Sequence, residues 1–218
     1  MYKRGGEIDL ETAFNTSFVY ELATLLAVLD PTAAMPVYLA STAGLPRRQA
    51  LLVAVYGVGT GFLVLLFFIC VGQPLLAALR IPMASFQLAG SLVLLLFGLK
   101  LVMGLVSAEI ANLPATATMA QRAVYPLAMP VIAGPGAMLA VVMLTDNNTR
   151  TFDEQVLTTS RLVIALVIVF CGLLLSRQVY RLIGQTGLEI ISRVTGLVLS
   201  SIAVTGMITA IRVSFRLP

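Results

Sequence analysis

The run Leu26-Ala27-Val28-Leu29-Asp30-Pro31-Thr32-Ala33-Ala34-Met35-Pro36 sets one carboxylate and two prolines inside apolar text. A lone carboxylate at the centre of a bilayer costs more than about 2.5 kcal/mol, so Asp30 must face protein rather than lipid if this run spans a membrane. Asp suits a helix N-cap and Pro the first helical position, so Asp30 either caps a half-helix or holds an ammonium, a cation or a proton. An interfacial position for Asp30 is the third reading. Thr32 lies two residues on and offers a hydroxyl. A second run, Pro130-Val131-Ile132-Ala133-Gly134-Pro135-Gly136, has the same spacing of two prolines and no charge. Proline removes a backbone donor and displaces the carbonyl four residues earlier. In hydrocarbon, backbone freed in this way survives only when packed in protein or lining a cavity. Gly134 and Gly136 allow close approach, so this turn either presents bare amides to a carboxylate or packs small residues at a kink. An acid for an ammonium and amides for a carboxylate together suit a zwitterion. The candidate binding set is Asp30, Pro31, Thr32, Ala33, Gly134, Pro135, Gly136 and Ala137.

Other polar residues read more plainly. Glu21 is expected to sit nearer the interface, with proton coupling as the alternative. Lys100 marks the end of a span. Gln87 and Arg193 stand three residues before Gly90 and Gly196 and are candidates for gating, with interfacial anchoring the plainer role for Arg193. The chain has no His, and no metal site or cofactor is expected. Gly57-Val58-Gly59-Thr60-Gly61 has no Lys after it and reads as a helix contact face, not a phosphate loop. Cys70 and Cys171 lie in apolar runs and are expected in the core as small hydrophobes. No nucleophile–base pair is present, so an enzyme is not expected.

The elements that must position these residues follow from composition. Of 218 residues, 59% are hydrophobic and 11% charged, with mean hydropathy +0.98. A soluble domain carries about 25% charge, so this is an all-α, multi-spanning membrane protein. Its fourteen Lys and Arg are scattered, which sets nucleic acid aside. The mixed charges of the N-terminal seventeen residues do not read as a cleaved signal. Six apolar segments lie near 14–40, 50–73, 81–103, 123–145, 157–180 and 194–212. Breakers stand between them at Gly44-Leu45-Pro46, Gln73-Pro74, Ile81-Pro82 and Asn112-Leu113-Pro114, and Thr145–Arg150 reads as a solvated turn. The fifth segment needs Arg161 and Arg177 to snorkel from its ends. The matched proline runs, and the Gly90 and Gly196 segments that follow them, divide the chain into an N-terminal polar segment (1–13), a three-helix repeat (14–106), a connecting loop (107–122) and a second repeat (123–213). Three is odd, so the repeats should be inverted, with helices 1 and 4 broken near the midplane. Basic residues divide seven against seven between the two sides. The adjacent Arg47-Arg48 pair places its loop inside and both termini outside.

At these residues the chain resembles the MarC family of bacterial and archaeal inner-membrane proteins, over nearly all of 14–212. The resemblance rests on Asp30-Pro31…Pro36, on Phe86-Gln87-Leu88-Ala89-Gly90, on Val124-Tyr125-Pro126-Leu127-Ala128-Met129-Pro130-Val131-Ile132-Ala133-Gly134-Pro135-Gly136-Ala137, and on Thr186-Gly187-Leu188-Glu189-Ile190-Ile191-Ser192-Arg193-Val194-Thr195-Gly196. It implies six spans in inverted repeats and, in some members, transport of small neutral amino acids such as glycine or alanine. Two departures stand out: Ala33-Ala34 where the family often has Gly-Asn, and Gln87 where it often has Arg. The expectation is a secondary transporter in a bacterial or archaeal inner membrane, working by alternating access, with a proton or cation as coupling ion. Its partners are a neutral amino acid, the lipid bilayer and, as an open option, further copies of itself. The rivals are a channel-like or structural subunit, and a thiol oxidoreductase using Cys70 and Cys171.

Overall fold

Four helices begin at or just after a proline: Pro31, Pro46, Pro82 and Pro135. The computed structural model describes residues 6–106, 118–145 and 152–215. Residues 1–5 of the expected N-terminal segment, 107–117 of the connecting loop and 146–150 of the polar turn lie outside the described residues. Helix α1 is Gly6–Leu29 and α2 is Pro31–Ser41, joined through Asp30. The corner at Gly44 (φ 73°) and extended Pro46 leads into α3, Arg47–Ala78. Its 32 residues reach about 48 Å, longer than the hydrocarbon core is thick. The break expected at Gln73-Pro74 does not occur: α3 runs through Pro74, and the turn falls at Leu79–Pro82, where Arg80 has φ 53°. Helix α4 is Met83–Val102.

The second half opens with α5, Met119–Ile132, capped by Thr118 and Gln121 in a reciprocal box. From Ala123 on α5 is wound more widely, and Tyr125 (φ −123°, ψ 127°) and Met129 (φ −126°, ψ 125°) are extended. Each precedes a proline, whose ring pushes the residue before it out of the helical region. The Met129–Pro130 peptide is cis. After Ala133 and Gly134, α6 runs Pro135–Leu144, bent 56° from α5. The helical stretch Phe152–Phe215 is two helices, α7 (Asp153–Gly184) and α8 (Thr186–Phe215), divided at Gly184, whose φ of 68° and ψ of −172° suit only glycine.

The described residues form helices and no strand, and five helices are long and apolar enough to cross a membrane, or six with α5–α6 as one bent span. Leu63, Phe67, Leu96, Val167, Leu175 and Leu197 are among the large apolar side chains exposed on the outside. Such a surface suits lipid and not water. Leu25, Leu29, Val37, Leu127, Ile132, Val141, Leu166 and Val169 fill the centre. The α1–α2 and α5–α6 pairs thus share the core with α3 and α7.

Small residues set how closely the helices approach. A Cβ on Gly57 or Gly61 of α3 would come within 2.6 Å of Leu127 or Ile132 of α5, while one on Gly59 would meet nothing. The expected contact face is real, and it consists of the two glycines four residues apart. Helices α4 and α8 run antiparallel, with a Cβ on Gly98 falling 2.5 Å from Ser200 Oγ and 2.9 Å from the Gly196 carbonyl. Gly98→Ala should cost about 1–3 kcal/mol of overpacking. Thermal unfolding of the detergent-solubilised protein should show a clear fall for Gly98→Ala and none for Gly59→Ala.

Candidate functional site

Asp30 sits at the middle of the span Phe18–Ser41. Its backbone is left-handed (φ 37°, ψ 81°), a conformation that Asp and Asn tolerate better than other side chains with a Cβ. Oδ1 accepts from the Thr32 amide at 3.1 Å, the Ala33 amide at 3.1 Å and the Thr32 hydroxyl. The carboxylate thus satisfies the first amides of α2, and Pro31 has no amide to satisfy. The ladder is bent rather than opened here: the Asp30 amide still reaches the Leu26 carbonyl at 3.0 Å, and the Ala34 amide reaches the Asp30 carbonyl at 3.2 Å.

The second junction is built differently. The Ala133 amide reaches back five residues to the Ala128 carbonyl at 2.8 Å, closing the wide winding of α5. Gly134 is extended (φ −73°, ψ 166°) and caps α6 with no side chain, so the N-terminal amides of α6 begin bare of a side-chain acceptor. That is the anion-attracting end of a helix.

The two junctions meet. Asp30, which is half-buried, and Ala33 line one small cavity with Gly134, Gly136, Ala137 and Pro130, and Val28, Leu94, Phe97, Val131 and Leu199 complete its wall. It measures about 10 Å³ open to a water centre, close to the smallest space that holds one water. Pro31, Thr32 and Pro135 shape the junctions without lining the cavity. Gly90 of α4 backs the second junction, where an added Cβ would lie 3.1 Å from Pro135 Cβ. The two glycines are not equivalent. A Cβ on Gly134 would fall 2.3 Å from the Pro130 carbonyl oxygen, whereas one on Gly136 would make ordinary contact with Val28 at 3.4 Å and Leu94 at 3.5 Å. Gly134→Ala is therefore expected to unfold or rearrange the junction. Gly136→Ala should stay folded, its melting temperature near that of the unaltered protein, while it removes space from the cavity.

Gln87 and Arg193 are not brought together. Gly98 of α4 meets Gly196 of α8, and Ser91 meets Gly206. In this antiparallel register Gln87 and Arg193 stand toward opposite ends, about 20 Å apart along the axis. Arg193 is exposed and Gln87 half-buried.

The largest departure from expectation is Glu21. It is not exposed at the interface, and Arg161 does not snorkel: they are 1% and 4% exposed and form a direct ion pair between α1 and α7. The Thr158 hydroxyl donates to Glu21 Oε2 at 3.0 Å, and the guanidinium lies 5.5 Å from the Phe18 ring centre. A charge in lipid is far costlier than a charge facing its counter-ion, so two charges on separate spans find each other. Cys70 and Cys171 also depart from expectation. Both are free thiols on the exposed outer faces of α3 and α7 and take no place in the core. A small hydrophobe is as compatible with lipid as with an interior.

The sequence profile of the MarC family integral membrane proteins matches residues 15–215. The UPF0056 membrane protein of Methanocaldococcus jannaschii is 30% identical over 197 residues, covering 89% of this chain and 96% of that one. The UPF0056 membrane protein of Aquifex aeolicus is 28% identical over 202 residues, covering 91% and 94%. The UPF0056 inner membrane protein YhgN of Escherichia coli K12 is 28% identical over 192 residues, covering 86% and 92%. No solved structure matches the chain.

Proposed function

The chain belongs to the MarC family of integral membrane proteins, and from that premise we propose that it is a secondary transporter of small neutral amino acids, of glycine or alanine size. One observation carries the reading: Asp30 of one span and the bare helix N-terminus of another line a single small cavity near the middle of the bundle. A zwitterion has an ammonium for the first and a carboxylate for the second. The cavity is too small for a substrate as it stands, so occupation requires the junctions to part. Discontinuous helices at such a junction are where transporters built on repeats bind substrate.

Inverted repeats fit the same reading. The first and second halves contribute corresponding junctions, each with Pro at the first helical position. The Gly90 and Gly196 helices of the two halves run antiparallel. With Arg161 set aside because it is buried in its ion pair, the sequence tally of basic residues becomes seven against six in favour of the Arg47-Arg48 side. We place that side in the cytoplasm and the membrane as the cytoplasmic one, as the name of the Escherichia coli relative has it. The transport reading is tested by uptake of radiolabelled amino acids into proteoliposomes. Saturable uptake of glycine or alanine, competed by the other and not by leucine, is expected. Non-saturating leak without selectivity would make the protein a channel.

A further inference from the structure

A second and much larger cleft opens at the end of the bundle, away from the Asp30 cavity. It measures about 940 Å³ and lies between the end of α2, the corner at Gly44, the start of α3, the end of α7 and the start of α8. Its wall is of two kinds. Leu39, Leu51, Leu174 and Leu188 make it apolar, and Arg47, Arg177 and Arg181 are set against one acid, Glu189. Arg177 is held in place by its bond to the Leu45 carbonyl at 3.1 Å. Arg47 and Arg181 are exposed. Helix α3 also begins here, capped by Pro46 with no side-chain acceptor, so its positive end adds to the charge of the arginines.

These features exclude a glycine-sized ligand as the natural occupant, because the volume is far too large and most of the wall is apolar. They also argue against a small free anion, which needs no apolar wall. The ligand that fits has an anionic head and a hydrocarbon tail. Leu51 and Leu174, which line the cleft, are 42% and 38% exposed, so this apolar wall is open to a hydrocarbon chain. The helix ends Ser41, Arg47 and Gly184 put the arginines at the membrane boundary, at headgroup level. We propose that this cleft binds an anionic phospholipid, with its phosphate between Arg47 and Arg181 and the first part of an acyl chain along Leu39, Leu51 and Leu174.

The proposal does not depend on what the protein transports. The test uses delipidated protein in a neutral detergent and three probes: phosphatidylglycerol, phosphatidylcholine with the same chains, and glycerol 3-phosphate, which carries the phosphate alone. Phosphatidylglycerol should raise the melting temperature several degrees further than phosphatidylcholine, and glycerol 3-phosphate should leave it unchanged. The Arg47→Gln/Arg181→Gln double variant should lose that difference, and Arg48→Gln, whose side chain is exposed but outside the cleft, should keep it. Mass spectrometry of lipid retained after purification gives a reading independent of stability. It should show at least about tenfold less phosphatidylglycerol on the double variant, and the single variants Arg47→Gln and Arg181→Gln serve in its place should the double variant not fold. Equal stabilisation by the two lipids would overturn the proposal, as would an equal effect of glycerol 3-phosphate or an undiminished lipid effect in the double variant.

Discussion

Asp30→Asn is expected to remain folded in the membrane and to lose transport by about a hundredfold or more. Asparagine tolerates the left-handed backbone that Asp30 adopts (φ 37°). Its amide oxygen can still accept from the Thr32 and Ala33 amides, so α2 keeps its cap. What disappears is the negative charge facing the cavity. Asp30→Leu separates the two roles, because it removes the cap, worth about 1 kcal/mol, and forces a branched apolar residue into a left-handed conformation at about 1–2 kcal/mol. It should lower the melting temperature where Asp30→Asn does not. If Asp30→Asn transports normally, Asp30 is a cap and nothing more, and the ammonium must bind elsewhere.

Arg161→Met should be the most destabilising single substitution among the charged residues. It leaves the carboxylate of Glu21, 1% exposed, without the guanidinium it bonds. Breaking a buried pair by removing one partner costs about 3–5 kcal/mol, whereas replacing both by well-packed apolar residues is often neutral or better. For a chain of this size the single variant should melt on the order of 10 °C lower. Glu21→Leu/Arg161→Met should recover most of that loss, and the double-mutant cycle reads the coupling directly. A single variant that melts within about 1 °C of the unaltered protein would mean the pair contributes nothing to holding α1 against α7.

Much of this arrangement was legible in the residues. Asp followed by Pro announces a cap and a helix start, and Asp30-Pro31 is built that way. The break in the Pro130…Gly136 run was legible from its prolines and glycines, and the structure adds the extended Tyr125 and Met129, each before a proline. Gly57 and Gly61 read as a contact face because small residues four apart share one side of a helix. What was not legible depends on partners distant in sequence. Glu21 and Arg161 are 140 residues apart, and each alone looks like the polar end of a span, since hydropathy treats any charge as a boundary. Which face of α3 and α7 turns outward decides the fate of Cys70 and Cys171, and periodicity is nearly silent in helices apolar all round. Pro74 misled because a proline deep in a long membrane helix can be carried through it without ending it. The arginine-lined cleft needs four helices to exist at all.

That a small amino acid binds where the two junctions meet is tested most directly by substrate protection of Ala33, which lines the cavity. With Cys70 and Cys171 both replaced by serine, which should leave uptake intact because the two thiols lie on the outer faces of α3 and α7, Ala33→Cys provides a single reactive thiol. Its labelling by a small methanethiosulfonate reagent is followed in proteoliposomes with and without glycine. Glycine at saturating concentration should slow labelling about tenfold, and leucine should not. A labelling rate unchanged by glycine, in protein that still takes glycine up, would put the substrate somewhere other than this cavity.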